Sequence, residues 1–344
     1  MTVRKNRIRL VGALLALVLS LSLGGCAVRE GSADDGRLRV VTTLFPYYDF
    51  ARAVAGDRAD VTLLLAPGRE AHSFEPTPLD AVTISRADVF IYNGGEGEVW
   101  ADDMLDAVGE DIGTVLRMMD FVDAREEEFS EGMQGADSHD HAHDHDHDHE
   151  HDHELHDHAE HDHDDSDEIE YDEHIWTSPK NAIRLCRAVA HALCAADAEN
   201  TDLYRANCED YCAQLEALDA DLRALRASAV RDLLIFADRF PFLYFCEEYD
   251  LHYRAAFHGC SGDTEPSLAT LKYLIDKVND EHIPVVYTID LSSQKVAEAV
   301  SECTGARIGR LWSMQTVSRT DFDAGETYLT LMQRNYEALK GGLL

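Results

Sequence analysis

From position 137 to 166 the chain reads DSHDHAHDHDHDHEHDHELHDHAEHDHDDS, so imidazoles at His139, His141, His143, His145, His147, His149, His151, His153, His156, His158, His161 and His163 alternate with carboxylates. Imidazole nitrogen binds borderline cations such as zinc, nickel and copper, and interleaved carboxylates offset the cation's charge without demanding a fixed geometry. Leu155 and two alanines are the only side chains the tract could bury. That is too little to offset the entropy of ordering it, so a mobile, metal-collecting loop is expected.

Three shorter motifs carry polar groups in more constrained surroundings. Gly68–Pro78 reads GREAHSFEPTP, where Pro76 and Pro78 stiffen a loop that carries His72. Asp172–Pro179 reads DEHIWTSP and places His174 just before a helix. Ile235–Phe242 reads IFADRFPF and places Asp238 where a strand is expected to end. His258 ends a further strand, and His191, His252 and His282 read as structural or solvated. Glu98 and Trp100 follow a third strand and read as packing or capping residues.

These motifs need a frame, and the alternation of segments supplies one. Strand-like runs at Leu38–Leu44, Ala59–Leu65, Val89–Tyr92 and Val115–Met119 alternate with helical ones at Tyr47–Ala55, Pro78–Ala87 and Glu98–Val108. The pattern resumes with strands at Leu233–Ala237, His252–Phe257, Val285–Ile289 and Arg307–Trp312, and helices at Pro266–Asn279, Ser292–Cys303 and Gly325–Lys340. Such alternation implies right-handed crossovers and parallel sheets covered on both faces. Between the halves lie helices at Pro179–Cys194 and Asp202–Ala227. The second has cap candidates Asn200 and Thr201, and an apolar stripe of Tyr211, Leu215, Leu218, Leu222 and Leu225.

The expected architecture is α/β: two doubly wound lobes joined by a long rigid helix, with a ligand between the lobes at the carboxyl ends of the strands. The lobes are expected over 37–200, with the histidine-rich loop at 137–166 as an insertion, and over 230–344, with the linker helix over 201–229.

The ends and the composition narrow the setting. Arg4, Lys5, Arg7 and Arg9 precede an apolar stretch that closes on Leu23-Gly24-Gly25-Cys26, which reads as a lipoprotein signal peptide and lipobox over 1–26 with Cys26 lipidated. The mature chain is then expected outside the cytoplasmic membrane, held by lipid. A formal charge of −36 repels nucleic-acid phosphates and concentrates cations. Cysteine usage fits an oxidising compartment. If the two central helices fold back antiparallel, Cys194 faces Cys208 and Cys186 faces Cys212 as two staples; otherwise the four are small buried apolar residues.

Taken together, the lipobox, the His-x-x-Glu-Pro-x-Pro loop at His72, the His-x-Trp-x-x-Pro segment at His174 and the intervening histidine-rich loop resemble the zinc/manganese-specific solute-binding lipoproteins of ABC importers, the ZnuA-like family. The likeness runs from Leu38 to the C-terminus. It implies a metal-binding receptor, not an enzyme, that delivers its ion to a permease and ATPase, with Zn2+ as the cation, Mn2+ as the alternative, and a monomeric chain.

The family's first two metal-binding histidines fall on His72 and His174. The third position, a histidine or glutamate in relatives, falls on Asp238, and the fourth near Gln315, with Asp321 and Asp323 close by. His258 is a substitute ligand. Arg239 either orients the Asp238 carboxylate or neutralises it. Within the same fold a manganese or iron receptor is the alternative. In other classes the rivals are a surface adhesin, a metal buffer, or a zinc hydrolase, for which no His-Glu-x-x-His is present outside the low-complexity histidine tract.

Overall fold

The computed structural model describes residues 36–71, 73–108, 112–133, 170–261 and 265–344. His72, Cys26 with the rest of the leader, and the whole histidine-rich tract lie outside the described residues.

The first lobe begins β1 (Leu38–Thr42), α1 (Phe45–Ala55), β2 (Ala59–Leu63), α2 (Pro78–Ile84), β3 (Val89–Tyr92), α3 (Val99–Val108) and β4 (Thr114–Arg117). Its four strands are parallel in the order β2-β1-β3-β4. β3 is buried at every position, as a strand covered on both faces must be. α2 starts where Thr77 and Asp80 form a reciprocal capping box with Pro78 at the first position.

After α4 (Pro179–Ala196) and α5 (Thr201–Ser228) the alternation repeats as β5 (Leu233–Phe240), α6 (Leu243–Glu248), β6 (His252–His258), α7 (Leu268–Asp280), β7 (Val285–Ile289), α8 (Lys295–Thr304), β8 (Arg307–Leu311), α9 (Arg319–Asp323) and α10 (Tyr328–Leu343). The second sheet is also parallel, in the order β6-β5-β7-β8. Two α/β domains are thus linked by a long helix.

α5 is about 42 Å long at 1.5 Å per residue. Its stripe of Tyr211, Leu215, Leu218, Leu222 and Leu225 is buried throughout, against α4 and α1 and, further along, α10. Truncating Leu215 to alanine there would cost about 2–5 kcal/mol. Among the described residues no helix is long and apolar enough to cross a membrane.

Four details depart from expectation. β5 runs on to Phe240 across a register shift between Phe236 and Arg239, so Asp238 sits on a bulge inside the strand rather than beyond its end. Asn200 makes no side-chain cap for α5, because its amide donates instead to Asp197 Oδ2 at 2.6 Å. Two short helices, α6 and α9, were too brief to carry a period. The α4–α5 hairpin is present, but the staples are not: the seven described cysteines are thiols, and Cys186 sits against both Cys208 and Cys212.

Candidate functional site

The segment before α4 is fixed from both lobes. Ser178 caps the helix by accepting from Asn181 N, with Pro179 at the first position, which ends the preceding extended chain sharply. Upstream, the Asp172 carbonyl accepts from Tyr244 Oη at 2.8 Å, and the Trp176 indole donates to the Ser313 carbonyl at 2.7 Å. Tyr244 and Ser313 belong to the second lobe, so the chain through His174 forms a seam between the lobes. Tyr328 Oη closes the same seam by donating to the Trp176 carbonyl at 2.6 Å.

His174 is 1% exposed. Its Nδ1 lies 3.2 Å from Asp172 Oδ1, which also accepts from the His174 backbone N at 2.8 Å. A carboxylate on Nδ1 favours the tautomer with the proton on Nδ1 and the lone pair on Nε2. Burial pushes the imidazole pKa down, but Asp172, Glu173 and Glu127 together outweigh it and hold it above the ordinary value. A Cβ on Gly259 would lie 2.9 Å from His174 Cε1 and 3.0 Å from the Phe240 carbonyl, so only a glycine lets that turn pass so close to the ring.

Glu127 comes to the same place through a bridge between the two stretches that flank the histidine tract. Glu126 and Tyr171 form an antiparallel bridge, and Glu127 N donates to the Glu170 carbonyl at 2.8 Å. Glu127 Oε1 then lies 3.1 Å from His258 Nδ1. Burial raises the Glu127 pKa, but the hydrogen bond and charge of His258 and the charge of His174 bring it below the ordinary value. His174, Glu127 and His258 are therefore one electrostatic cluster. Nothing in the sequence marks Glu127 apart from Glu126 and Glu128; only the register of its pairing with Glu170 does.

Beneath the loop that carries His72, a small pocket is lined by Ala71, Asn93, Glu98, Trp100, Glu173 and Gln315 among others, and no lysine or arginine is among its described residues. Glu98 accepts from Asn93 N at 2.6 Å and Gly94 N at 3.2 Å, in the turn that follows β3, and burial lifts its carboxyl to about 7. Glu173 accepts from Gly97 N at 2.8 Å, and burial raises its pKa too. Gln315 follows Met314, whose left-handed φ of 62° is held by full burial, and its carbonyl accepts from Phe45 N at 3.3 Å.

Asp238 faces a different groove, lined by Glu70 and Ser73 from the first lobe and by Ser261 and Ser292 from the second. Its Oδ1 accepts from Arg239 N at 2.9 Å and its Oδ2 from Ile289 N at 3.2 Å. Burial raises its pKa against these bonds. The Arg239 guanidinium forms its ion pair with Glu70, at 3.1 Å, and acts on Asp238 through its backbone N–H and its charge, both of which lower the Asp238 pKa. Ala71 and Ser73, on either side of position 72, border the two grooves respectively. Asp321 and Asp323 lie away from both, in α9, where Asp321 pairs with Arg334 at 3.2 Å.

Residues 40–342 match the family profile described as zinc-uptake complex component A, periplasmic. The high-affinity zinc uptake system protein ZnuA of Bacillus subtilis is 30% identical over 336 residues, covering 96% of each chain. The zinc-binding lipoprotein AdcA of Streptococcus pneumoniae is 30% identical over 333 residues, and the chain spans 60% of that relative's length. In three dimensions, the Zn(II)-bound ZnuA-like domain of Streptococcus pneumoniae AdcA superposes with a TM-score of 0.69 at 26% identity, covering 90% of this chain and 99% of that one.

Proposed function

The chain belongs to the zinc-uptake complex component A family, and on that premise we propose that it is an extracytoplasmic, lipid-anchored receptor that captures zinc and hands it to the permease and ATPase of an ABC importer. It is a binding protein rather than an enzyme, and it works as a single chain. The lobes meet at its metal cleft. The ion is held by His72 and His174, with Glu127 as the carboxylate and His258 beside it; Gln315 lines the pocket and Asp238 the separate groove, and neither carries the bond to zinc.

The observation that carries this reading is the cluster of buried His174 with half-buried Glu127 and His258, adjoining Glu173, which lines a pocket whose described residues include two glutamates and no basic side chain. Buried acids without a basic partner raise their pKa and keep their protons, a cost that a divalent cation removes. A set rich in imidazole with one carboxylate favours zinc over manganese, which prefers more oxygen ligands. The histidine tract gathers the ion and raises its local supply. The tie of His174's segment to both lobes limits hinge closure, so release follows movement of loops when the permease docks.

Competition titration of zinc against a chromophoric chelator tests the reading. A tight site that survives deletion of 137–166 and vanishes in the His72→Ala, His174→Ala double variant is expected; a tight site that persists in that double variant overturns it.

A further inference from the structure

The central helix hairpin holds a second cluster of metal-ligating atoms, remote in chemistry from the cleft. Among the described residues, one group of three His, Cys, Asp or Glu side chains has its ligand atoms all within 4.8 Å of one another: Cys186 on α4 with Cys208 and Cys212 on α5. Cys208 and Cys212 are one helical turn apart, which puts both thiols on one face, with sulfurs 3.8 Å from each other. A cation with bonds of roughly 2.3 Å to sulfur, centred in a triangle of three, sets the sulfurs about 4 Å apart, so the trio needs only a small contraction to close on one.

We propose that Cys186, Cys208 and Cys212 form a three-thiolate site for a soft monovalent cation, of which cuprous copper is the type. The choice of ion follows from the ligand count and the burial. Structural zinc sites take four ligands, whereas soft thiolates select Cu(I), and among the described residues no fourth His, Cys, Asp or Glu ligand atom joins the trio. All three residues are buried, at 0%, 6% and 2% exposure, which protects a bound cuprous ion from oxidation and water.

Access is nonetheless available, because a groove bordered by Arg187, His191, Cys208 and Cys212 opens along the hairpin. Binding displaces the thiol protons to water, one for each sulfur that enters as thiolate.

The test titrates the reduced, anaerobic full chain with Cu(I) presented as its bicinchoninate complex. The expected result is one equivalent withdrawn from the chelator together with an ultraviolet thiolate-to-metal charge-transfer band, which imidazole and carboxylate in the cleft or the tract cannot produce. Cys208→Ser and Cys212→Ser should each remove most of the band, while Cys303→Ser, at an exposed thiol, leaves it intact. Pulsed alkylation of the unaltered protein guards against a folding defect in the variants: copper should protect Cys208 and Cys212 from labelling relative to the copper-free protein. A band retained in the Cys208→Ser, Cys212→Ser double variant, labelling unchanged by copper, or a disulfide among the three thiols in the protein isolated without reductant would each overturn the proposal.

Discussion

The two sheets share one strand order, yet their carboxyl ends are occupied differently. In the first lobe the chain beyond β1 and β3 meets Glu98, Glu173 and His174, all buried, around a pocket whose described lining has no basic side chain. In the second, Asp238 and Asp290 are buried as well and, like Glu98 and Glu173, take backbone amides: Arg239 and Ile289 donate to Asp238, and Ser313 donates to Asp290 at 2.6 Å; but the groove that Asp238 lines has no histidine among its described residues. Identical topology thus provides a position for a site without deciding its chemistry. What differs is that an imidazole, His174, stands among the buried acids of the first lobe and none stands beside Asp238.

The contrast is most easily broken at His174. Replacing it with alanine should weaken zinc binding by on the order of 100-fold or more, and Asp172→Asn, which leaves the ring but loosens its tautomer, by about 10–100-fold; chelator competition reads both. If the second lobe's acids are mere structure, Asp238→Asn should change zinc affinity less than Glu127→Gln does, with Glu127→Gln costing about tenfold. The reverse ranking would move the carboxylate to the second lobe. Gly259→Ala should force the turn off the His174 ring and cost about 1–3 kcal/mol of stability, seen in denaturant unfolding of the metal-free protein.

The smallest effect concerns pH. Glu98 at about 7 and Asp290 at about 6 are both lifted by burial above the value of about 4 they have unfolded. The folded state therefore binds more protons than the unfolded state between about pH 4 and about pH 7, and the stability these groups contribute falls as pH rises through that window. A bound cation favours the ionised forms, so the rise in Tm on adding zinc should be larger at about pH 8 than at about pH 5. Scanning calorimetry of the metal-free and zinc-loaded protein at both values checks the sign.

Much of the frame was legible because its signals are local. Pro78 and Pro179 announce helix starts by their own chemistry, and the stripe from Tyr211 to Leu225 could only be a buried face. His174 stood out for the same reason, fixed before a capped helix and beside Trp176. Glu127 did not, since its partners lie 47 and 131 positions away, at His174 and His258, and only strand pairing brings them together. Asp238 was misplaced by the bulge: a register shift leaves no trace in a run of residues that all suit a strand. The cysteines misled in the opposite way, because the antiparallel hairpin was right while the side-chain directions of α4 and α5 bring three thiols to one point instead of two pairs.

Both metal-ligating regions can be interrogated at once by X-ray absorption at the zinc edge of protein lacking 137–166 and loaded with one equivalent of zinc. The account predicts a first shell of nitrogen and oxygen with the multiple-scattering signature of imidazole, lost when His72 and His174 are replaced. A sulfur shell, which would put the zinc on the central helices, or a nitrogen shell unchanged by those replacements, would contradict it.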